Sequence, residues 1–107
     1  MVEITFNART YEVTATGHAM ADEEGKDIVC AAVSTLMYTL ADSLSQCQMM
    51  LEEGSFESKV KKGDMMVKCT PKEGFVANIE TIYWVILNGC NALVESYPEY
   101  VTLTQVA

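Results

Sequence analysis

Histidine and cationic side chains are scarce in this sequence. The chain has one histidine, His18, and its seven Lys and Arg residues stand against fifteen Asp and Glu, for a formal net charge of −8. Because proteins that bind nucleic acids neutralise phosphates with Lys and Arg, so acidic a chain is not expected to bind nucleic acid. Its field instead favours basic partners, including basic peptides.

Long apolar runs and loop-forming residues are also few. No run approaches the roughly 20 apolar residues needed to cross a bilayer, and the N-terminus lacks the basic and apolar blocks of a secretory signal. With half of its residues hydrophobic and only six Gly and two Pro, the chain is expected to fold. The sequence therefore predicts a single domain over residues 1–107, cytoplasmic and without membrane contact.

The four cysteines are too far apart for a metal site or a redox pair. They occur at positions 30, 47, 69 and 90, with no CxxC motif, and a single histidine adds no ligand cluster. We therefore predict no metal site and no cofactor. Cys47 and Cys90 fall on apolar helix stripes and Cys69 on the inward side of a strand, which predicts three buried thiols. Cys30 is the exception.

Hydrophobic periodicity predicts five strands and two long helices. The first helix follows Asp27, an N-cap candidate, and its apolar stripe continues through Cys47 and Leu51 to Gly54, a candidate C-cap. Gly63 and Asp64 are expected to form a type II′ hairpin turn. The predicted strands are 2–6, 11–16, 56–62, 65–70 and 101–106, and the second helix is 75–96.

This order, ββαββαβ, predicts an α+β fold. Hairpins that alternate with two amphipathic helices are typical of a two-layer sandwich, with both helices packed on a mostly antiparallel sheet. On the second helix, Trp84 and Val85 fall outside the apolar stripe, which makes a subunit interface plausible.

The stretch 17–34, GHAMADEEGKDIVCAAVS, combines the histidine with a cysteine near a predicted helix start. If Asp27 is the N-cap, Cys30 is the third helical residue, where unpaired backbone N–H groups favour a thiolate and supply oxyanion donors. Ser34 lies one turn further on the same side. The alternative is that Cys30 is a small packing residue on an Ala- and Val-rich face.

A thiol protease needs a base within hydrogen-bond reach of its nucleophile, and His18 is the one histidine available. Because Gly17 ends the second strand, we expect His18 at a strand terminus, presented from a rigid scaffold. Residues 20–26 are predicted to form an acidic loop, with Gly25 as its pivot, that closes over a bound peptide.

These residues also carry a family resemblance. The GHA block at 17–19 and the run GKDIVCAAVS at 25–34, with twelve positions from His18 to Cys30, resemble the signature of the ribosomal-processing cysteine protease family, Prp. The segment YPEYV at 97–101 resembles that family's closing segment. Residues 20–24 lack the aromatic side chain that many members carry, a departure that concerns substrate fit and not the dyad.

The resemblance implies a function and a set of site residues. It implies a bacterial cysteine endopeptidase that removes the N-terminal extension of the twenty-seventh large-subunit ribosomal protein during ribosome assembly. Cys30 would be the nucleophile and His18 the general base. Asp27, Ser34, Gly17 and Gly25 would be supporting residues. The family further implies a homodimer, with the ribosomal protein precursor as its partner.

Two other functions are compatible with the same residues. One is a non-enzymatic peptide-binding or redox-sensing module, in which Cys30 is reactive but no acyl intermediate forms. The other is an assembly factor that binds a ribosomal protein without cutting it. Cleavage of an extended substrate that depends on both Cys30 and His18 separates the protease from either alternative.

Overall fold

A five-stranded sheet forms one layer of the protein. The computed structural model describes residues 1–17 and 24–107, with the side chains of 1–17 and 28–107. The strand order is β3-β4-β2-β1-β5, in which β1 and β5 are parallel and all other neighbours antiparallel. The strands are β1 (Val2–Asn7), β2 (Glu12–Thr16), β3 (Glu57–Lys61), β4 (Asp64–Lys68) and β5 (Val101–Val106).

Two long helices form the second layer. Helix α1 (Glu24–Gln46) connects β2 to β3, and helix α2 (Val76–Ser96) connects β4 to β5. α1 contacts β3 and β4, α2 contacts β5, and the helices contact each other, so together they cover one face of the sheet. The element order ββαββαβ and the two-layer α+β class confirm the fold predicted from the sequence.

Alternation in the strands and helical spacing in α1 explain why the core lies between these layers. In β1, Ile4 is 1% exposed and pairs with Ala15 of β2 and Leu103 of β5, whereas Glu3 beside it is exposed. The core stripe of α1 follows three- and four-residue steps. Its buried members are Val29, Val33, Met37, Leu40, Ala41 and Leu44.

The prediction that α1 continues to Gly54 is wrong. The helix ends at Gln46 and is followed by a 3-10 helix at Gln48–Met50. Leu51 is buried, as its place in the stripe predicted, but it forms a β-bridge with Pro71, and Met50 O accepts a hydrogen bond from Lys72 N–H at 2.9 Å. These contacts with residues 71–72 draw the chain out of the helix.

The β3–β4 hairpin also differs from its prediction by one residue. Lys61 pairs with Asp64, so the two-residue loop is Lys62 and Gly63 rather than Gly63 and Asp64. Gly63 takes φ +81° at the second loop position, whereas a type II′ turn needs its glycine at the first. The shift adds Asp64 to the start of β4 and leaves Lys62 at the hairpin tip.

Helix α2 buries one side and exposes two large apolar residues on the other. Ile79, Tyr83, Ile86, Leu87 and Cys90 are the buried residues of its stripe. Trp84 and Val85 are 64% and 56% exposed, as predicted for residues outside the stripe.

Residues 28–46 of α1 are long and apolar enough to match a bilayer by length and composition, a test that the core helix of a soluble domain also passes.

Candidate active site

Helix α1 holds Cys30 beside the core but within reach of solvent. Its neighbours Val29 and Val33 are 0% and 1% exposed and anchor the helix, while Cys30 and Ser34 are partly exposed. Cys30 and Ser34 are four residues apart and therefore lie on the same side of the helix. The prediction that both lie at the edge of the core face is confirmed.

Cys30 and Ser34 open onto a groove between α1 and the β3–β4 hairpin. The groove has a volume of about 330 Å³, and Tyr38 joins Cys30 and Ser34 on its helical side while Lys61 and Lys62 lie on its hairpin side. Tyr38 OH donates a hydrogen bond to the carbonyl oxygen of Val60 in β3 at 3.5 Å, which ties the two walls together. Such a groove can accept an extended segment of polypeptide against the thiol.

Gly17 fixes the point at which the chain leaves β2. Its N–H donates to the carbonyl oxygen of Gly63, in the hairpin turn, at 3.1 Å. Its φ is +119°, and a Cβ at this position would lie 3.1 Å from the carbonyl carbon of Met1 and closer still to the Met1 oxygen. Only glycine fits here, which gives a structural reason for the glycine that was predicted to end the second strand.

The remaining predicted site residues lie at or before the start of α1. His18, residue 19 and residues 20–23 of the predicted loop lie outside the described residues, whereas residues 24–26 of that loop belong to α1. Gly25 and Asp27 belong to the first turn of α1, which begins at Glu24. The predictions of Gly25 as a loop pivot and of Asp27 as an N-cap are therefore wrong, because the helix starts three residues before Asp27.

The earlier helix start changes the argument for the reactivity of Cys30. Cys30 is the seventh residue of α1, not the third. The influence of a helix terminus falls off within the first turn, and from the fifth residue on each N–H donates to a carbonyl inside the helix. The backbone N–H of Cys30 is therefore not a free oxyanion donor, and the expectation that the helix start supplies these donors at Cys30 is wrong.

The hairpin wall of the groove was not found from the sequence. Val60, Lys61 and Lys62 were interpreted only as strand residues, because their position against α1 depends on packing between distant segments. Tyr38 carried a usable signal, since it lies four residues after Ser34 and eight after Cys30 on the same helix.

The other three thiols have different environments. Cys69 and Cys90 are each 1% exposed, and burial raises the pKa of both, that of Cys90 to about 11. The Sγ of Cys69 lies 3.5 Å from Tyr83 OH, a contact that opposes part of the rise in pKa. Cys47 is only partly buried beyond the end of α1, so its predicted burial on a helix stripe is wrong. All four thiols are free.

Alkylation is expected to divide the thiols into two pairs. At pH 8 iodoacetamide should label Cys30 and Cys47 in the native protein, whereas Cys69 and Cys90 stay unlabelled, because their raised pKa keeps them protonated and burial blocks access. Peptide mass spectrometry after a timed quench measures each site. Unfolding in guanidinium chloride should make all four reactive. Labelling of Cys69 or Cys90 at the rate of Cys30 in the native protein would contradict this structure.

Comparison with known proteins gives the family. The cysteine protease Prp family matches residues 1–102. SMU.848 from Streptococcus mutans has 27% identity and a TM-score of 0.70, over 98% of this chain and 91% of that one. Two structures of the essential ribosomal processing protease Prp from S. aureus, with a covalently linked product peptide and with a substrate peptide, have 23% and 21% identity and TM-scores of 0.69 and 0.71. Each covers 98% of this chain and 97% of its own.

These matches agree with the fold. The two S. aureus structures are below 25% identity and support the fold, while the family match spans almost the whole chain. No curated protein matches the sequence. The chain belongs to the cysteine protease Prp family.

Proposed function

We propose that this protein is a ribosomal-processing cysteine endopeptidase that removes the N-terminal extension of a large-subunit ribosomal protein, the twenty-seventh, during bacterial ribosome assembly. The observation that carries the proposal is the groove at Cys30, where one partly exposed thiol faces a cleft between a rigid helix and an edge strand. The S. aureus proteins of the same fold are ribosomal processing proteases, which supports the substrate class.

The proposed reaction is acyl transfer through a Cys–His dyad. Cys30 Sγ attacks the scissile carbonyl carbon as its proton passes to His18. The tetrahedral intermediate collapses to a thioester while His18 protonates the leaving amine. Water, deprotonated by His18, then attacks the thioester, and the proton returns to release the free Cys30 thiol and the new carboxylate.

The position of Gly17 supports His18 as the base. Gly17 is hydrogen-bonded to Gly63, and Lys62 beside Gly63 lines the groove of Cys30. Gly17 directly precedes His18 in the sequence, so a fixed backbone at Gly17 is consistent with a role for His18 at this groove. Gly17 would thus act by fixing the chain ahead of the base, and Ser34 by lining the groove. Asp27 and Gly25 stay predicted supporting residues within the first turn of α1.

The edge strand supports an extended peptide as the substrate. Among the described strands β3 pairs with β4 alone, so its outer backbone groups face away from the sheet. An edge of this kind can add an extended peptide by main-chain hydrogen bonds. A peptide in the groove would then pass Tyr38 and Ser34 with its scissile bond near Cys30.

Cellular location and oligomeric state follow from the proposed substrate and family. Processing of a ribosomal protein precursor, as proposed, would take place in the cytoplasm. We further propose a homodimer, in keeping with the family resemblance and with the exposed Val85 on α2. Sedimentation equilibrium of the wild-type chain measures this directly, and a single monomeric species at micromolar concentration would contradict it.

Cleavage of the extended ribosomal protein tests the function. We expect the wild-type chain to release the N-terminal extension as one product, and His18→Ala to lower kcat/KM by about 10³-fold, because the chain has no second histidine to replace it. Mass spectrometry of both products maps the bond. The mature ribosomal protein without its extension is the matched control and should stay uncut.

The alternative functions predict different outcomes of the same assay. A peptide-binding or thiol-sensing module would bind the precursor and keep a reactive Cys30 without releasing a product. An uncut precursor that co-elutes with the protein would therefore favour that reading and contradict the protease. Cleavage that is unchanged in His18→Ala would contradict the dyad.

A further inference from the structure

A second groove lies at the other end of the sheet from Cys30. It is formed by α2, the end of β1, the turn between β1 and β2, and the end of β5, and its volume of about 390 Å³ exceeds that of the groove at Cys30. The proposed proteolysis uses none of its residues. Its lining is rich in aromatic side chains and contains one carboxylate.

Four of the nine aromatic residues in the chain line this second groove. Phe6 and Tyr83 form its buried floor, with ring centroids 5.7 Å apart, and Tyr11 packs edge-on against Tyr83 at 5.6 Å. Trp84, the only tryptophan, is 64% exposed at the rim. Aromatic faces attract cations within about 6 Å of the ring centroid, with Trp the strongest of them.

Glu80 places a negative charge in the same groove. Glu80 and Trp84 are four residues apart on α2, so their side chains lie on one side of the helix. Tyr11 OH donates a hydrogen bond to Glu80 Oε2 at 3.0 Å, which holds the carboxylate against the aromatic lining. When a carboxylate lies beside an exposed indole, the carboxylate can bind a cationic group by charge while the face of the indole ring stacks on it.

The backbone of Tyr11 is strained at this groove. Its φ of +56° is left-handed, a conformation that residues other than glycine seldom adopt. The carbonyl oxygen of Tyr11 accepts a hydrogen bond from Tyr83 OH at 2.7 Å, so the buried core holds the residue in this conformation. The fixed Tyr11 in turn holds its hydroxyl against Glu80 in the wall of the groove.

We propose that this groove binds a Lys or Arg side chain of a basic polypeptide. The side chain would stack on Trp84 and pair with the carboxylate of Glu80. The net charge of −8 favours such a partner over an acidic or neutral one. The proposal rests on the proposed function in one respect: the basic polypeptide would be the ribosomal protein precursor. The second groove would hold a part of the precursor that is distant from the bond cleaved at Cys30.

The groove is separate from the proposed subunit interface around Val85. Successive residues of an α-helix point about 100° apart, so Trp84 faces the groove while Val85 faces another direction. Val85 does not line the groove, whereas Trp84, Asn88 and Asn91 follow one another along it. A dimer across Val85 therefore leaves the groove open to a partner.

Because Trp84 is the only tryptophan, its fluorescence reports directly on the groove. At fixed ionic strength, a hexa-arginine peptide should change the emission of the wild-type chain saturably. An uncharged hexa-citrulline peptide of the same shape should not. Glu80→Gln should raise the Kd for hexa-arginine about five- to tenfold, through loss of the carboxylate. Trp84→Leu, followed by anisotropy of a labelled peptide, should raise it similarly.

Glu95→Gln is the matched control, since it removes the same charge from an exposed position on the same helix and should change the Kd less than twofold. Equal weakening by Glu80→Gln and Glu95→Gln would overturn the proposal in favour of diffuse attraction. An emission change that depends on protein concentration without peptide would overturn it in favour of a second copy. Binding of hexa-arginine does not require cleavage, so the two proposals can fail separately. If hexa-arginine binds but the precursor stays uncut, only the proposed function is contradicted. If the precursor is cut but hexa-arginine does not bind, only the proposed binding groove is contradicted.

Discussion

Replacing Cys30 by alanine is expected to lower kcat/KM for the extended ribosomal protein by at least about 10³-fold. The sulfur is the atom that forms the thioester, so its loss removes the covalent step, and only the water reaction with bound substrate remains. Because Cys30 is partly exposed at the rim of the core, the substitution leaves the packing of Val29 and Val33 intact. Product release measured by mass spectrometry gives the rate.

Cys47→Ala is the matched control for this loss. Cys47 is also a partly exposed, free thiol, but it lies beyond the end of α1 and outside the groove. The activity and melting temperature of the Cys47→Ala variant should stay close to those of the wild type. If Cys30→Ala keeps more than a tenth of the wild-type rate, or if Cys47→Ala loses as much as Cys30→Ala, the acyl-transfer mechanism is wrong for this protein.

The fold was predictable because burial imposes strict periods on the sequence. Alternation in β1 and the three- and four-residue steps of α1 depend on one buried face each, and a shift by one residue would expose that face. The location of Cys30 at the edge of the buried stripe of α1 was predictable for the same reason. Val29 and Val33 fix the buried side of α1, and Cys30 and Ser34 must then lie at its edge.

The ends of α1 were not predictable from local preferences. A good N-cap is worth about 1 kcal/mol, so Asp27 is a weak signal that longer-range packing can override. At the other end the apolar stripe continues through Cys47 to Leu51, but the bridge between Leu51 and Pro71 turns those residues out of the helix. That partner lies twenty residues further along the chain, beyond the reach of any periodic pattern.

Both grooves join segments that are distant in sequence. Tyr38 and Val60 are 22 residues apart, and Tyr11 and Glu80 are 69 apart. The exposure of Trp84 was predicted from its place on the helix, but exposure alone suggested a subunit contact. Only the neighbouring Tyr11 and Glu80 indicate a cationic ligand for it.

Gly17→Ala is expected to destabilise the protein by roughly 2–6 kcal/mol. A Cβ would press against the backbone of Met1, and overpacking of this kind costs roughly 1–3 kcal/mol. The φ of +119° adds strain of about 1–3 kcal/mol for a residue with a side chain. The sum is a large part of the roughly 5–15 kcal/mol that holds a typical domain folded. Urea denaturation followed by circular dichroism measures the change.

Gly54→Ala separates the two causes. Gly54 also has a positive φ, +74°, but a Cβ there meets nothing within 4 Å, so only the backbone strain of about 1 kcal/mol applies. If Gly17 also positions the proposed base, Gly17→Ala should lose kcat/KM at a temperature where both variants are fully folded, while Gly54→Ala matches the wild type. Equal stability losses in the two variants would mean that Met1 moves aside. Full activity in folded Gly17→Ala would mean that the geometry at the end of β2 does not govern His18.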